Sequence, residues 1–190
     1  MYGLDVTRAD VQDHLASVAR DLVDAGYRYL KLDFTFSAKI RGQYEDHTMT
    51  PAERVRAAYE AVRRGAGDDV FILGCGAPLG SVVGVVDGMR IGPDVAPHWP
   101  VVAPDDALPG YREALPSTRG AWRSTLGRAF MHRSLWLNDP DCLMLRHTET
   151  QLSDEQVRAW ALAVGMSGGM AIVSDDLALL GDGERALLDE

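Results

Sequence analysis

The stretch YLKLDF, residues 29–34, carries the features from which the fold is predicted. Most of its side chains are typical of a strand buried on both faces, as in a parallel sheet covered by helices. Lys31 and Asp33 are two positions apart, so in an extended chain they point to the same side. A cation and an anion on one face of such a strand indicate either a structural ion pair or a functional site at the strand's carboxyl end.

A helix is predicted before this strand. The apolar spacing from Thr7 onwards fits a helical repeat, which Thr7 can cap and Gly26 can close. The strand itself is expected to run from Tyr29 to Phe36. The chain therefore enters the strand from a helix, as in a repeating β-α unit.

The same alternation continues after the strand. Thr50 and Glu53 predict a capping box for a helix that ends at Gly65. The other predicted elements are strands at 70–76, 88–92, 142–146 and 170–176, a Pro-rich loop at 93–117, a helix from Thr118 to Met131 and a helix capped by Ser153 and Gln156.

Five apolar strands that alternate with helices predict an α/β fold with a parallel sheet. Two architectures fit this pattern, a doubly wound open sheet and part of a (β/α)8 TIM barrel. A complete barrel needs eight strands and typically about 250 residues. The chain has 190 residues, so the barrel interpretation requires that the barrel is incomplete.

The composition argues against several classes of partner. A net charge of −9 disfavours a nucleic-acid surface, which needs clustered Lys and Arg. No apolar run approaches the length of a membrane span, and the first ten residues lack the pattern of a signal peptide. The two cysteines, Cys75 and Cys142, are too few for a disulfide framework, and the five histidines show no zinc spacing. A cytoplasmic protein without nucleic-acid, membrane or metal binding is expected.

Carboxylates follow two of the predicted strands. Asp33 ends the first strand, and Asp94 follows the strand that contains Arg90. Ligands bind at the carboxyl ends of the strands in both architectures. Paired carboxylates at such a rim suit glycoside hydrolysis, in which one attacks the anomeric carbon and the other donates a proton. Lys31 would help to keep Asp33 ionised, because a nearby opposite charge favours the charged form.

Four stretches of the sequence support the hypothesis of a glycoside hydrolase. They are, in chain order, YLKLDF at 29–34, GCGAPLG at 74–80, MRIGPDVAPHW at 89–99 and HRSLWLNDPDCLMLR at 132–146. Together they resemble the melibiase-type α-galactosidases, the retaining glycoside hydrolases of families 27 and 36, and family 36 most closely. The resemblance extends from about Leu4 to Asp176. Its K-x-D and R-I-G-P-D motifs are specific when they occur in sequence.

The resemblance implies a (β/α)8 barrel and assigns roles to residues of this chain. Asp33 would be the nucleophile, and Asp94 would be the general acid/base. No cofactor and no metal would be needed. The residues that would line the substrate site are Lys31, Cys75, Gly76 and Arg90, with Trp99 as a candidate wall near the leaving group.

The resemblance also predicts the extent of the domain. Residues 1–190 would form one domain, an incomplete catalytic barrel with about strands four to eight. The earlier strands and the flanking β-domains of the family are absent from this sequence. The expected function is that of a retaining α-galactosidase acting on terminal α-D-galactosyl residues of oligosaccharides. Family 36 members often form tetramers, so the full-length protein is a candidate homo-oligomer.

Two other functions fit parts of the sequence. The glycines Gly74, Gly76 and Gly80 follow a strand and suggest a nucleotide-binding doubly wound domain. Their spacing is one residue longer than the dinucleotide fingerprint, however, and no clear helix follows. A barrel remnant without catalytic activity would carry the same motifs and show no turnover.

Two further groups of polar residues have no role in this hypothesis. Asn138, Asp139 and Asp141 are expected to precede their strand, at the bottom face of a barrel, where residues serve stability. Asp175 and Asp176 end the last strand on the functional side, and the sequence assigns them no role.

Overall fold

The computed structural model describes residues 3–103 and 115–186. The chain divides into two compact units, with the boundary after Met89. Residues 104–114, which belong to the predicted loop 93–117, lie outside the described ranges. The remaining predicted elements all lie within them.

The first unit consists of parallel strands and two long helices. Its elements are α1 (Ala9–Asp24), β1 (Tyr29–Leu32), α2 (Pro51–Ala66), β2 (Phe71–Gly74) and β3 (Gly88–Arg90), whose last residue opens the second unit. β1 pairs in parallel with β2, and β2 pairs in parallel with β3. The core of the unit contains Leu30, Val55, Tyr59, Ile72 and Met89.

The two helices of this unit begin differently. α2 has the predicted capping box, in which the Thr50 side chain accepts from the Glu53 N–H and the Glu53 side chain accepts from the Thr50 N–H. The prediction that Thr7 caps α1 is wrong. The N-cap is Arg8, which makes no side-chain cap, and the Thr7 hydroxyl donates to Asp5 instead.

The end of α2 also differs from the prediction. Gly65 does not end the helix, which continues to Ala66 with Gly67 as its C-cap. A Cβ at Gly65 would overlap the backbone of Ala16 in α1. The glycine therefore allows the two helices to approach closely, because any side chain at this position would collide with α1.

The connection between β2 and β3 contains no α-helix. Residues 75–87 include only a short 3₁₀ turn at Leu79–Ser81. Dinucleotide phosphates bind at the N-terminus of a helix that directly follows the first strand. The glycine segment therefore lacks the element that a nucleotide site requires, and the nucleotide-binding alternative is not favoured.

The second unit is built around the buried Trp160. Its elements are α3 (Thr118–Arg128), β4 (Leu137–Asp139), β5 (Cys142–Leu143), α4 (Asp154–Ser167), β6 (Ile172–Val173) and α5 (Asp182–Ala186). β5 pairs in parallel with β6. The predicted Ser153–Gln156 capping box begins α4. Around Trp160 the core contains Leu143, Leu145, Val157, Val164 and Leu180.

β4 was not predicted. Only Pro140 and Asp141 separate it from β5, although β5 pairs with β6 in a different sheet. Asn138 and Asp139 lie within β4, and Asp139 is its last residue. The expectation that Asn138 and Asp139 lie before a strand is therefore wrong, whereas Asp141 directly precedes β5 as expected.

Candidate active site

Asp33 lies at the point where the chain leaves β1. The backbone of Phe34 has φ 53, in the left-handed region, so the extended conformation ends directly after Asp33. The Phe34 N–H donates to Asp33 Oδ1 at 2.7 Å. Lys31, two residues earlier in β1, is exposed like Asp33. The predicted strand to Phe36 is thus four residues too long, and the shorter strand places the carboxylate at its end.

Thr35 joins the ends of β1 and β2. Its hydroxyl donates to the Cys75 carbonyl at 3.0 Å and contacts the Tyr59 hydroxyl at 2.9 Å. The Cys75 N–H donates to the Leu32 carbonyl at 2.8 Å. Tyr59 is buried, and burial raises the pKa of its phenol to about 12. The neutral phenol of α2 therefore supports the segment that carries Asp33.

Gly76 packs directly against this segment. Its carbonyl accepts from the Phe36 N–H at 2.9 Å. Its φ is 63, and a Cβ there would be 3.2 Å from the Phe34 nitrogen that donates to Asp33. Gly76 thus permits both the turn after β2 and the close approach of the chain that holds Asp33.

Arg90 contacts three carboxylates in the second unit. It lies at the end of β3, and its side chain is 7% exposed. Nη1 donates to Asp94 Oδ1 at 2.8 Å, Nε donates to Asp139 Oδ2 at 3.1 Å, and Nη2 is 2.9 Å from Asp141 Oδ1. The side chain of Asp94 is 67% exposed, whereas those of Asp139 and Asp141 are 1% and 8% exposed.

The two buried carboxylates have further hydrogen-bond donors. The Asp141 N–H donates to Asp139 Oδ1 at 2.8 Å, and the Val95 N–H donates to Asp141 Oδ2 at 2.8 Å. Asp141 has φ 87, which turns the chain between β4 and β5. Burial and the neighbouring Asp141 carboxylate together raise the pKa of the Cys142 thiol to about 11. Sequence reasoning missed Asp139, because its partner Arg90 is 49 positions away.

The segment that carries Asp94 is attached to the start of α3. The N–H groups of Ser117, Thr118 and Arg119 donate to the carbonyls of Asp94, His98 and Trp99. These donors belong to the first turn of α3, where no helical acceptor is available. The segment from Asp94 to Trp99 is therefore held by the helix that follows it.

Trp99 lies at the end of this segment and is half-buried. Its ring centroid is 5.9 Å from that of Trp122 in α3, and both rings pack against the core around Trp160. Trp99 is thus held in place by packing, although the residue remains partly exposed.

The carboxylates after β6 have structural partners. Asp175 is buried, and its Oδ2 accepts from the Leu145 N–H at 2.5 Å. Arg146 Nη1 is 3.8 Å from Asp175 Oδ1. Asp176 caps the following turn by accepting from the Ala178 N–H at 2.9 Å. These contacts tie the end of β6 to the chain after β5.

The predicted site residues thus fall into two groups. Lys31, Asp33, Cys75 and Gly76 lie at the carboxyl ends of β1 and β2 in the first unit. Arg90, Asp94 and Trp99 lie at and after the end of β3 in the second unit. Hydrogen bonds join the segment that carries Asp33 to Cys75 and Gly76, and the guanidinium of Arg90 joins Asp94.

Two kinds of feature are absent from residues 3–103 and 115–186. No group of three His, Cys, Asp or Glu side chains there has the arrangement of a metal site. Within the same ranges, every helix is too short or too polar to cross a bilayer.

Solved structures of glycosidases resemble this chain. An α-galactosidase from Thermus thermophilus, solved with p-nitrophenyl α-D-galactopyranoside, is 32% identical over 99% of this chain and 37% of its own, with a TM-score of 0.82. α-Galactosidase I from Mortierella vinacea is 17% identical, with a TM-score of 0.64, over 96% of this chain and 45% of its own. No family model matches the chain.

A family 27 β-L-arabinopyranosidase from Geobacillus stearothermophilus is also similar. It is 16% identical over 99% of this chain and 42% of its own, with a TM-score of 0.68. At this identity, as for the Mortierella enzyme, the likeness concerns the fold alone. The chain spans less than half the length of each of these proteins, from 37% to 45%.

The parallel strands and their helices thus form an α/β fold that this chain shares with barrel glycosidases. Its similarity to α-galactosidases, predicted from its motifs, is confirmed over 99% of its length. Its assignment to family 36 stays a prediction.

Proposed function

We propose that this chain is part of the catalytic barrel of a retaining α-galactosidase. The observation that carries the proposal is that Asp33 directly follows β1 and Asp94 closely follows β3, at the carboxyl ends of parallel strands. Such ends meet at the functional edge of a barrel. The two units are proposed to be parts of one domain with about strands four to eight of that barrel.

In the proposed mechanism, Asp33 attacks the anomeric carbon of the α-galactoside, and the glycosidic C–O bond breaks. Asp94 gives its proton to the departing oxygen, which leaves as an alcohol. Asp94 then takes a proton from water, and the resulting hydroxide displaces Asp33 from the sugar. Two inversions give net retention, which requires carboxyl groups about 5–5.5 Å apart.

The environment of Asp33 supports its role as nucleophile. The Phe34 N–H donates to one carboxylate oxygen at 2.7 Å, and a hydrogen bond of this kind favours the ionised form that attacks. Lys31 adds a positive charge on the same side of the strand. We propose that Lys31, Cys75, Gly76 and Arg90 line the galactose subsite and that Trp99 borders the leaving group.

The proposed substrates are oligosaccharides with a terminal α-linked galactose, such as the raffinose series. The Thermus enzyme has been solved with stachyose as well as with the nitrophenyl galactoside, and the Saccharomyces cerevisiae α-galactosidase has been solved with raffinose. These ligands share a terminal galactosyl group. The shared group is the chemical class that the proposal assigns to this site.

Replacement of the two acids in the full-length protein tests the proposal. With p-nitrophenyl α-D-galactopyranoside, Asp33→Asn should lower kcat by on the order of 10³-fold or more without changing the fold.

NMR should show α-galactose as the first product of the parent protein. Asp13→Asn, on the exposed face of α1, is the matched control and should retain full activity. Wild-type turnover in Asp33→Asn, or β-galactose as the first product, would refute the mechanism.

A further inference from the structure

The charges around Arg90 do not balance within the cluster. One guanidinium contacts three carboxylates, and two of these, Asp139 and Asp141, are almost completely buried. Both oxygens of each buried carboxylate face hydrogen-bond donors, which is the pattern of an ionised carboxylate. Asp139 and Asp141 therefore offset the positive charge of Arg90 without any contribution from Asp94.

This imbalance matters for a general acid. A lone guanidinium at 2.8 Å would favour the ionised form of Asp94, since an opposite charge stabilises the charged state. An ionised Asp94 has no proton to give to the leaving oxygen. In the second unit, Arg90 contacts Asp94 directly, whereas Asp139 and Asp141 contact Arg90. The Cys142 thiol, whose pKa is raised to about 11, lies beside Asp141.

We infer that Asp139 is a positioning residue for Asp94 and acts through Arg90. This inference rests on the proposed function. Asp139 has two effects: its Oδ2 fixes the direction of the guanidinium through Nε, and its charge offsets that of Arg90. The guanidinium then orients Asp94 without holding it in the ionised form. Asp139 itself does not contact the substrate.

The pH profile of kcat/KM separates this role from a structural one. In the full-length protein, Asp139→Asn removes one negative charge and leaves Arg90 less compensated. The ionised form of Asp94 is then favoured, and catalysis needs the protonated form. The alkaline limb of the profile, measured with raffinose, whose sugar leaving group needs a proton, should therefore move to lower pH by roughly 1 unit. A purely structural role would lower the whole profile without moving that limb.

The chain offers a matched control. Asp87 pairs with Arg63 in the first unit, so Asp87→Asn also removes a carboxylate from an Arg–Asp pair. It should leave the alkaline limb unchanged. The inference is overturned if Asp139→Asn lowers activity and leaves the limb in place, or if Asp87→Asn moves it equally far.

A second variant covers the case in which Asp139→Asn does not fold. Asp139→Glu keeps the charge and displaces the carboxylate by one methylene. Its alkaline limb should remain at the parent's pH while kcat falls, because the guanidinium is redirected. A limb that moves to lower pH in this variant would overturn the charge argument.

The Asp94→Asn variant distinguishes the two proposals from each other. If Asp94 is the acid, this variant should lose the alkaline limb altogether. An Asp94→Asn enzyme that retains it would refute the acid assignment and, with it, the inference. Loss of the limb in Asp94→Asn together with an unmoved limb in Asp139→Asn would refute the inference alone.

Discussion

Arg90 Nη1 donates to Asp94 Oδ1 at 2.8 Å, and this contact joins a buried arginine to an exposed aspartate, with 7% and 67% of their side-chain surfaces exposed. An exposed carboxylate would ordinarily sample many orientations. Here its direction is set from inside the protein, by a guanidinium that two buried carboxylates hold in turn. The carboxylate of Asp94 is therefore open to solvent and is nevertheless held in one direction.

The first prediction concerns the stability of this cluster. Arg90→Met should lower the free energy of unfolding by about 3–5 kcal/mol, because it leaves Asp139 and Asp141 buried without their cation. Equilibrium urea unfolding measures the change. The matched control is Arg64→Met, since Arg64 forms an exposed pair with Asp13 and such pairs contribute less than about 1 kcal/mol. Equal losses in the two variants would contradict the prediction.

The second prediction concerns Gly76. Gly76→Ala should cost about 1–2 kcal/mol, because the residue has φ 63. Activity of the full-length protein should fall as well, because the new Cβ would press on the Phe34 nitrogen that donates to Asp33. Gly80→Ala is the control, since a Cβ at Gly80 meets nothing within 4 Å. Chemical unfolding and kcat/KM are the measurements, and equal effects at both glycines would exclude this account.

The third prediction concerns Tyr59 at alkaline pH. Burial raises the pKa of the folded phenol to about 12, whereas an unfolded tyrosine releases its proton near pH 10. The unfolded state thus loses a proton first, and stability falls as the pH rises from about 10 to about 12. In Tyr59→Phe this component is absent, so the unfolding free energy should decline less steeply over that range.

Unfolding curves at pH 9, 10 and 11 test this prediction. Tyr27→Phe, at a tyrosine that is 59% exposed, is the control and should follow the parent's curve. Parallel curves for the parent and Tyr59→Phe would show that the phenol has no part in the alkaline loss of stability.

The helices were predictable where their signals are local. The capping boxes at Thr50 and Ser153 each lie within four residues, and both form as predicted. The end of α2 was not predictable in this way. Gly65 is a glycine because of Ala16 in another helix, and nothing near it in sequence reveals that contact.

The strand ends were harder to predict for a related reason. β1 stops at Leu32 although apolar residues continue, because Phe34 turns left-handed and Phe36 donates to Gly76. β4 contains the polar residues Asn138 and Asp139, which argue against a buried strand unless their distant partners are known. The candidate acids themselves were found from the motifs, whereas the network around Asp139 required the fold.

The attachment of residues 94–99 to the first turn of α3 has a consequence for engineering. The Ser117 hydroxyl accepts from the Gly120 N–H at the start of α3, while the Ser117 N–H donates to the Asp94 carbonyl. A substitution that frays this helix start would therefore release the backbone around Asp94, although it touches neither the carboxylate nor Arg90. The proposed proton donor can thus be displaced from a distance, through the end of a helix.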